Sequence, residues 1–201
     1  MSRVKNPNIS LRALKRYDRM KKKRIVCTKC RIASIDIAIK NFAISIEDRS
    51  YGRVDVIYIN RVCLSESGDI VESFHNLIDF LDEIEIERCD IVVVEEQLKR
   101  NTMAMRMFQH VISTLMKYES IILYGISAKM KGKAFGCPNL KGRDLKKWGI
   151  ETAYKLLEDR GTPEVINTIK GVKGKKDDMC DCLIQCEAFW RNNPIEVIIM
   201  M

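Results

Sequence analysis

The sequence predicts an α/β domain whose sheet begins as an antiparallel meander and continues with buried strands that alternate with helices. Three observations support this fold class. Residues 32–62 hold three runs rich in β-branched residues, separated only by short turns, as in consecutive hairpins. Residues 89–94 form a continuous apolar run, typical of a parallel strand covered by helices on both faces. Between them, from Asp69 to Ile84, apolar residues recur at helical spacing.

Taken in order, the chain predicts five strands and four helices in the sequence β-β-β-α-β-α-β-α-α. Strands are expected at about 32–39, 42–48, 54–62, 89–94 and 120–124. Four helices are expected: from Ser67–Asp69 to Ile84, from Asn101 or Thr102, at about 144–159, and from Asp177 onward. The buried side of the second helix is expected to hold Met103, Met107, Val111 and Leu115. Two basic, glycine-bearing stretches, 129–147 and 171–176, are predicted to be loops.

The positive charge is concentrated at one end of the chain. The net charge is +8, yet residues 1–31 hold twelve Lys or Arg and one acidic residue, whereas residues 32–201 hold 23 Lys or Arg and 26 acidic residues. We therefore divide the chain into a basic N-terminal arm, 1–31, and one globular domain, 32–201. Such an arm suits a polyanion, most simply nucleic acid, although a solvated tail or a localisation signal has the same composition.

Several classes of protein find no support. No apolar run approaches the roughly 18 residues of a membrane span, and Met1–Lys5 leads into no secretory signal, so an intracellular, non-secreted protein is expected. Its eight cysteines are then expected to be reduced. Cys27 and Cys30 form a CxxC without a second pair at finger spacing, so ordinary thiols are favoured over redox chemistry or a composite zinc site with Cys180 and Cys182. No P-loop is present, and no nucleotide cofactor is expected.

Acidic residues interrupt two buried-looking strands. Asp36 lies within the first strand, and Glu95 with Glu96 ends the 89–94 strand. An unpaired buried carboxylate costs several kcal/mol or takes up a proton, so each of these acids requires compensation. Successive side chains of a strand point to opposite faces, so only one of Glu95 and Glu96 can join Asp36. The simpler alternative for Asp36 is a strand-end carboxylate facing water.

A third acidic group begins the last helix. Asp178 and Asp181 are three residues apart and share a helix face. Acids in a first turn are ordinary helix-capping chemistry, but Asp181 is surrounded by Cys180, Cys182 and Leu183. Four carboxylates are hard oxygen ligands that suit Mg²⁺ or Mn²⁺. Two such ions per site can activate water and stabilise the leaving oxygen in phosphodiester hydrolysis.

These motifs resemble those of the RNase H-like Holliday junction resolvases, the group that includes bacterial RuvC and the resolvases of poxviruses and other large DNA viruses. The resemblance lies in Asp36–Asn41, Glu95-Glu96-Gln97 and Lys176–Asp181, and it is strongest to the viral branch. It implies a five-stranded mixed sheet, three antiparallel strands followed by two parallel ones, flanked by helices. Ala38 departs from the glycine usual in the family.

The resemblance also implies roles for individual residues. The metal-binding catalytic acids would be Asp36, Glu96, Asp178 and Asp181, with Glu96 chosen because the family acid directly precedes the position matched by Gln97. Catalytic or DNA-contacting lysines would come from Lys129 or Lys131 and from Lys146 or Lys147. Of these, Lys129 and Lys147 are taken as the candidates.

We therefore expect a metal-dependent endonuclease that resolves four-way DNA junctions during recombination, repair or replication. The resemblance implies a homodimer, since two symmetric nicks need two active sites, and a location in host cytoplasm or virion if the source is a large DNA virus. One alternative is another RNase H-like nuclease acting on RNA–DNA hybrids. The other is a non-catalytic nucleic-acid-binding protein, which would retain its function after Asp36→Asn.

Overall fold

A computed structural model describes residues 29–50, 52–96 and 102–193. Within them, five strands form one sheet in the order β3-β2-β1-β4-β5. β1 pairs antiparallel with β2 and β2 with β3, whereas β1–β4 and β4–β5 are parallel. The predicted mixed sheet is thus confirmed. The strands are β1 Lys29–Asp36, β2 Phe42–Ser50, β3 Arg53–Val62, β4 Ile91–Glu95 and β5 Ile122–Ile126.

Helices cover both faces of this sheet. They are α1 Ile70–Glu83, α2 Thr102–Leu115, α3 Ala128–Phe135, α4 Gly142–Asp159, α5 Pro163–Gly171 and α6 Asp177–Asn192, with a 3₁₀ turn at Ile86–Arg88. Asp69 caps α1 by accepting a hydrogen bond from the Glu72 amide, and Ser127 caps α3 in the same way. No helix in the described ranges is long and apolar enough to cross a bilayer.

The alternation of side chains along the strands divides the core into two sides. Ala33 and Ile35 of β1 pack with Val92 and Val94 of β4 in the cluster that includes Leu77 of α1 and residues of α2. The intervening residues face the other side. Ile32, Ile91 and Val93 pack with Phe189 of α6. Because the period of a strand is two, Asp36 and Glu95 share the parity of this second group and lie on the α6 side.

The structure corrects several predicted boundaries. β1 ends at Asp36, three residues before the expected end, so Asp36 is a strand-end residue. β1 begins at Lys29, within the stretch assigned to the arm, and residues 1–28 lie outside the described residues. Met103 is exposed (41%), although Met107, Val111 and Leu115 of the predicted stripe are buried.

The basic stretch predicted as a loop is mostly helical. Residues 129–147 contain α3 and the first turns of α4, and only the short connection between them is irregular. Gly136, at φ +65°, ends α3 in the left-handed conformation that favours glycine. The second predicted basic stretch, 171–176, is irregular after Gly171, and the short helix α5 that precedes it was not predicted.

Candidate active site

Two acidic residues end neighbouring parallel strands. The register pairs Ile35 with Val94, so the next residues, Asp36 and Glu95, stand side by side where β1 and β4 end. The carboxyl ends of parallel strands are where α/β sheets place ligand sites. Glu95 is the strongest like-charge neighbour of Asp36, which places the two carboxylates in one electrostatic cluster.

The first turns of α6 bring two more carboxylates to the same place. α6 packs across β1, β2 and β4, and Asp178 and Asp181 both act on the Asp36 carboxylate electrostatically. Asp181 is half-buried, with 37% of its side chain exposed, so it is reachable from solvent. The predicted convergence of Asp36 with Asp178 and Asp181 is therefore present in the structure.

One cation lies among these acids. Lys131 of α3 is buried, and its Nζ donates to Glu95 Oε2 at 2.7 Å and lies 3.4 Å from Asp181 Oδ2. Burial alone would lower the pKa of this ammonium, but Asp181 and Glu95 outweigh that effect and hold the pKa above its ordinary value. Lys131 is therefore a fixed positive charge that bridges β4 to α6.

The cluster has more negative charge than Lys131 balances. Burial, followed by the charge of Glu95, raises the pKa of Asp36 to about 7. Burial also raises the pKa of Asp178, with Asp177 adding to the effect. The pKa of Asp181 is raised by its own burial even though Lys131 opposes the shift. Three carboxyls on one small surface thus resist ionisation, as expected where a further cation is needed.

The donor set fits a divalent metal ion. Asp178 Oδ2 is buried, and within the described residues no hydrogen-bond donor reaches it. An unpartnered buried carboxylate oxygen beside three other carboxylates is a ligand set of hard oxygens, which Mg²⁺ and Mn²⁺ prefer. In residues 29–50, 52–96 and 102–193 no three His, Cys, Asp or Glu side chains are yet gathered at ligand distance from one point. Lys131, bound between Glu95 and Asp181, occupies part of that space.

The structure places the two adjacent glutamates in different surroundings. Glu95 faces Lys131 and the cleft that contains Asp181, whereas Glu96 follows the end of β4, is exposed, and donates its amide to Ile126 O. Strand parity makes the distinction, because Glu95 continues the Ile91–Val93 side that faces α6. Gln97, on which the choice of Glu96 rested, lies outside the described residues.

The structure also distinguishes the two favoured lysines from their alternatives by the contacts that each makes. Lys129 is exposed at the start of α3, on the rim of the cleft, while Lys131 makes the buried contacts. Lys147 is 75% exposed and pairs with Glu151 at 3.8 Å. Its neighbour Lys146 donates to Asp177, which begins α6 beside the candidate acids. The two lysines point to different sides of α4. Lys146 contacts the start of α6, whereas Lys147 pairs with a residue of its own helix.

Gln185 is a site residue that the sequence did not single out. It is fully buried on α6, one turn after Asp181, and its Nε2 donates to Ile35 O at 3.1 Å and to Val93 O at 3.5 Å. These carbonyls belong to residues just before Asp36 and Glu95. Gln185 therefore fixes α6 against the ends of both strands. The available signal was a polar residue four positions after Asp181, between the apolar Leu183-Ile184 and Cys186.

Arg61 of β3 fixes the loop that leads into α6. It donates to Asn41 Oδ1 at 3.2 Å, in the β1–β2 connection, and to Lys173 O at 2.9 Å. Gly174 has φ +95°, and a Cβ there would lie 3.4 Å from the Arg61 guanidinium. The connection after β1 and the basic segment before Asp177 are thereby held together, which sets where α6 begins.

The cysteines give no further support to a metal site. Cys30, Cys180 and Cys182 are buried in the core, and burial raises the pKa of the Cys180 thiol to about 12. Burial of this kind favours the neutral thiol over the thiolate. Cys27 lies outside the described residues, so the CxxC prediction remains a prediction.

Comparison with known proteins agrees with the fold and the predicted resemblance. The family model described as Poxvirus A22 protein matches residues 30–187. The fowlpox virus Holliday junction resolvase superposes with a TM-score of 0.58 at 14% identity, over 81% of this chain and 98% of that one. Thermus thermophilus RuvC in complex with a Holliday junction substrate superposes with a TM-score of 0.57 at 14% identity, over 83% of this chain and 98% of that one.

A second fowlpox virus structure, the resolvase with its substrate Holliday junction DNA, gives a TM-score of 0.55 at 17% identity, over 79% of this chain and 97% of that one. At these identities the likeness establishes a shared fold. No sequence among curated proteins matches the chain significantly.

Proposed function

The chain belongs to the Poxvirus A22 protein family, and from this premise we propose that it is a Holliday junction resolvase that cuts four-way DNA junctions by paired, metal-dependent nicks. The observation that carries the proposal is the carboxylate cluster at the ends of β1 and β4 and the start of α6. The negative charge of this cluster is not balanced, and the pKa of Asp36 within it is raised to about 7. The fold matches of fowlpox virus resolvase and RuvC, both seen with Holliday junction DNA, support the substrate class.

In this proposal Asp36, Glu95, Asp178 and Asp181 hold Mg²⁺ or Mn²⁺, with two ions per site. The bound ions would supply Lewis-acid assistance and activation of water at the scissile phosphate. Lys131 orients Glu95 and keeps the acids from repelling one another before DNA arrives. Because its ammonium stays charged, it also offers a positive group to the charge that develops on the phosphate.

Basic residues beside the acids provide the DNA-binding surface. Arg143, Lys146 and Lys147 line an exposed groove on α4 next to Asp177, and Lys129 and Lys133 stand at the edge of the neighbouring cleft. Contacts of this kind neutralise phosphates and position the duplex without reading its sequence. The twelve cations of residues 1–31 would add affinity and salt dependence.

A homodimer follows from the reaction, because two symmetric nicks across a junction need two sites. The family also supports the expected setting, a large DNA virus with the protein acting in host cytoplasm or virion. We expect the dimer in sedimentation measurements with and without junction DNA.

The test is cleavage of an end-labelled four-way junction with Mg²⁺ or Mn²⁺ by wild type, Asp181→Asn and the control Asp79→Asn, whose exposed carboxylate lies on α1. We expect paired nicks from wild type and the control, and loss of cleavage with retained binding for Asp181→Asn. Equal cleavage by all three would overturn the four-acid site. Cleavage of an RNA–DNA hybrid but not of the junction would overturn the junction as substrate and favour a nuclease that acts on RNA–DNA hybrids.

A further inference from the structure

A cleft of about 850 Å³ opens directly beside the carboxylate cluster. Its walls come from α3, the α3–α4 connection, α4 and α6, and Glu95 and Asp181 also line it. The acids therefore occupy only a fraction of the concave surface around them. The remainder has no role in the chemistry proposed above.

The lining of the cleft combines apolar and cationic side chains. Leu140, Leu145, Trp148 and Ile184 contribute apolar side chains to its lining. Lys129 and Lys133 contribute cations and are exposed. A phosphodiester backbone gains nothing from apolar walls, whereas a planar, uncharged ring does. The combination of an aromatic wall with cations at the edge is complementary to a nucleotide, whose base is apolar on its faces and whose phosphate is anionic.

We propose that this cleft binds one unstacked base of the cleaved DNA strand, next to the scissile phosphate, with Trp148 as the surface on which the base stacks. The inference rests on the proposed function, because it takes the scissile phosphate to lie at Glu95 and Asp181. It adds a base-binding subsite to the phosphate-binding one.

Branched DNA makes such a base available. Enzymes that act on DNA remove a base from the stack most cheaply where pairing is already disturbed. Stacking on an aromatic ring accepts every base because each has a π-face, so the cleft would select for an unpaired position and not for a sequence. Structure selectivity would then arise close to the reacting phosphate.

The exposure of Leu145 supports an occupant for the cleft. Leu145 is 42% exposed on α4, whereas Trp148 is half-buried against the core formed by α4, α5 and α6. A large exposed apolar side chain that faces a cleft beside a charged site is a feature of binding surfaces. The two residues are three apart and lie on neighbouring positions of one helix face.

The experiment uses the full chain and a synthetic four-way junction carrying a single abasic residue, moved one nucleotide at a time across the positions flanking the branch point. Wild type, Trp148→Ala and Trp148→Phe are compared by single-turnover cleavage with Mg²⁺ or Mn²⁺. Binding is measured separately in EDTA. Because Trp148 packs on the core, Leu145→Asp provides a second variant at an exposed position, with Val71→Asp on α1 as its matched control.

On the intact junction, Trp148→Ala should weaken binding or slow cleavage about 5- to 100-fold, while Trp148→Phe retains most of the wild-type value. When the abasic residue stands at one particular position, binding or cleavage by wild type should fall by the same factor relative to the intact junction. Binding or cleavage by Trp148→Ala should fall little further at that position. Leu145→Asp should show the same dependence on the base, and Val71→Asp should not.

Independent, multiplicative losses from Trp148→Ala and from the abasic residue at every position would overturn the base-binding cleft, as would an unchanged Trp148→Ala variant. Junctions left uncut by wild type in both metals would instead overturn the proposed function. In that event the coupling between Trp148 and the missing base is still measured by binding in EDTA, so the two failures are distinguishable.

Discussion

The two ends of α6 both bury charge against the same sheet, but they balance it differently. Near its C-terminal end, Glu187 contacts Arg49, Arg160 and Arg191, and buried Glu47 contacts the first two of these arginines. Burial alone would raise the pKa of Glu187, yet these arginines hold it below its ordinary value. Near the N-terminal end, Lys131 contacts Glu95 and Asp181 and Lys146 contacts Asp177, yet the pKa of Asp36 is raised to about 7.

The comparison separates a structural network from a candidate site. At the C-terminal end every buried carboxylate has its counter-ion within the chain, so the network needs nothing else. At the N-terminal end, the cations of the described residues still leave Asp36, Asp178 and Asp181 with raised pKa values, so these acids are not fully balanced there. Buried charge that remains unbalanced is retained where a ligand completes it, which is why such groups mark functional sites.

The largest expected effect comes from breaking the balanced network. Arg49→Met leaves Glu47 and Glu187 with fewer counter-ions and should lower the free energy of unfolding by about 3–5 kcal/mol. Urea denaturation measures it. The control is Arg53→Met, which removes an ion pair whose side chains are 75% and 43% exposed and should cost about 1 kcal/mol at most. Equal losses from both variants would contradict the contrast.

Adjacent glutamates sharpen the comparison at the other end. Glu95→Gln should reduce junction cleavage by about 100-fold or more, because its carboxylate faces Asp36 and Lys131. Glu96→Gln is its matched control and should cleave at close to the wild-type rate. The reverse outcome would return the fourth ligand to Glu96 and overturn the assignment by strand parity.

A smaller effect is expected where α6 is fixed to the sheet. Gln185→Leu removes the hydrogen bonds to Ile35 O and Val93 O, and we expect cleavage to fall about 10- to 100-fold. The loss of stability should be about 1 kcal/mol. Rate and urea midpoint are measured on the same sample, with Gln109→Leu on α2 as control. If the loss of stability alone accounts for the fall in the cleavage rate, a positioning role for Gln185 is excluded.

The smallest effect is expected at a glycine inside α4. A Cβ at Gly149 would lie 3.6 Å from Asp181 Oδ1 and 3.9 Å from Ile184 Cδ1, which is ordinary contact. Gly149→Ala should therefore stabilise the helix by about 0.5–1 kcal/mol while its methyl group covers Asp181 and slows cleavage. Gly171→Ala, with nothing within 4 Å of the added Cβ, should leave the rate unchanged. Faster cleavage by Gly149→Ala would contradict this account.

The sequence revealed the sheet because its strands are short apolar runs rich in β-branched residues and separated by turns or helices. Ala33 and Ile35 face one core and Cys30 and Ile32 the other, a pattern that survives without knowledge of partners. The prediction of a loop at 129–147 was wrong because it gave weight to Gly132, Gly136 and Gly142. Only Gly136 and Gly142 have positive φ, at the end of α3 and the start of α4, whereas Gly132 lies within a helix.

The candidate site was recoverable only in part. Asp36, Asp178 and Asp181 stood out as carboxylates among apolar residues, which is a local signal. Strand parity places Glu95 on the side of α6, whereas the motif match points to Glu96, so the sequence alone leaves the two in conflict. Lys131 and Gln185 act across elements, through Glu95 and through Ile35 O, and a contact between distant segments leaves no local trace in one sequence.

The most direct test of unbalanced charge at the start of α6 is the stability of wild type and Asp36→Asn with and without Mg²⁺. Because the folded pKa of Asp36 is raised from 3.8 to about 7, its ionisation destabilises the metal-free fold increasingly as the pH rises between those values. Above pH 7, metal-free Asp36→Asn should therefore be more stable than wild type, by up to about 4 kcal/mol.

Below pH 4 the two proteins should converge. Mg²⁺ at pH 8 should raise the Tm of wild type markedly and that of Asp36→Asn little. A wild-type Tm that does not respond to Mg²⁺, or an equal response from both proteins, would contradict the claim that a divalent cation completes this cluster.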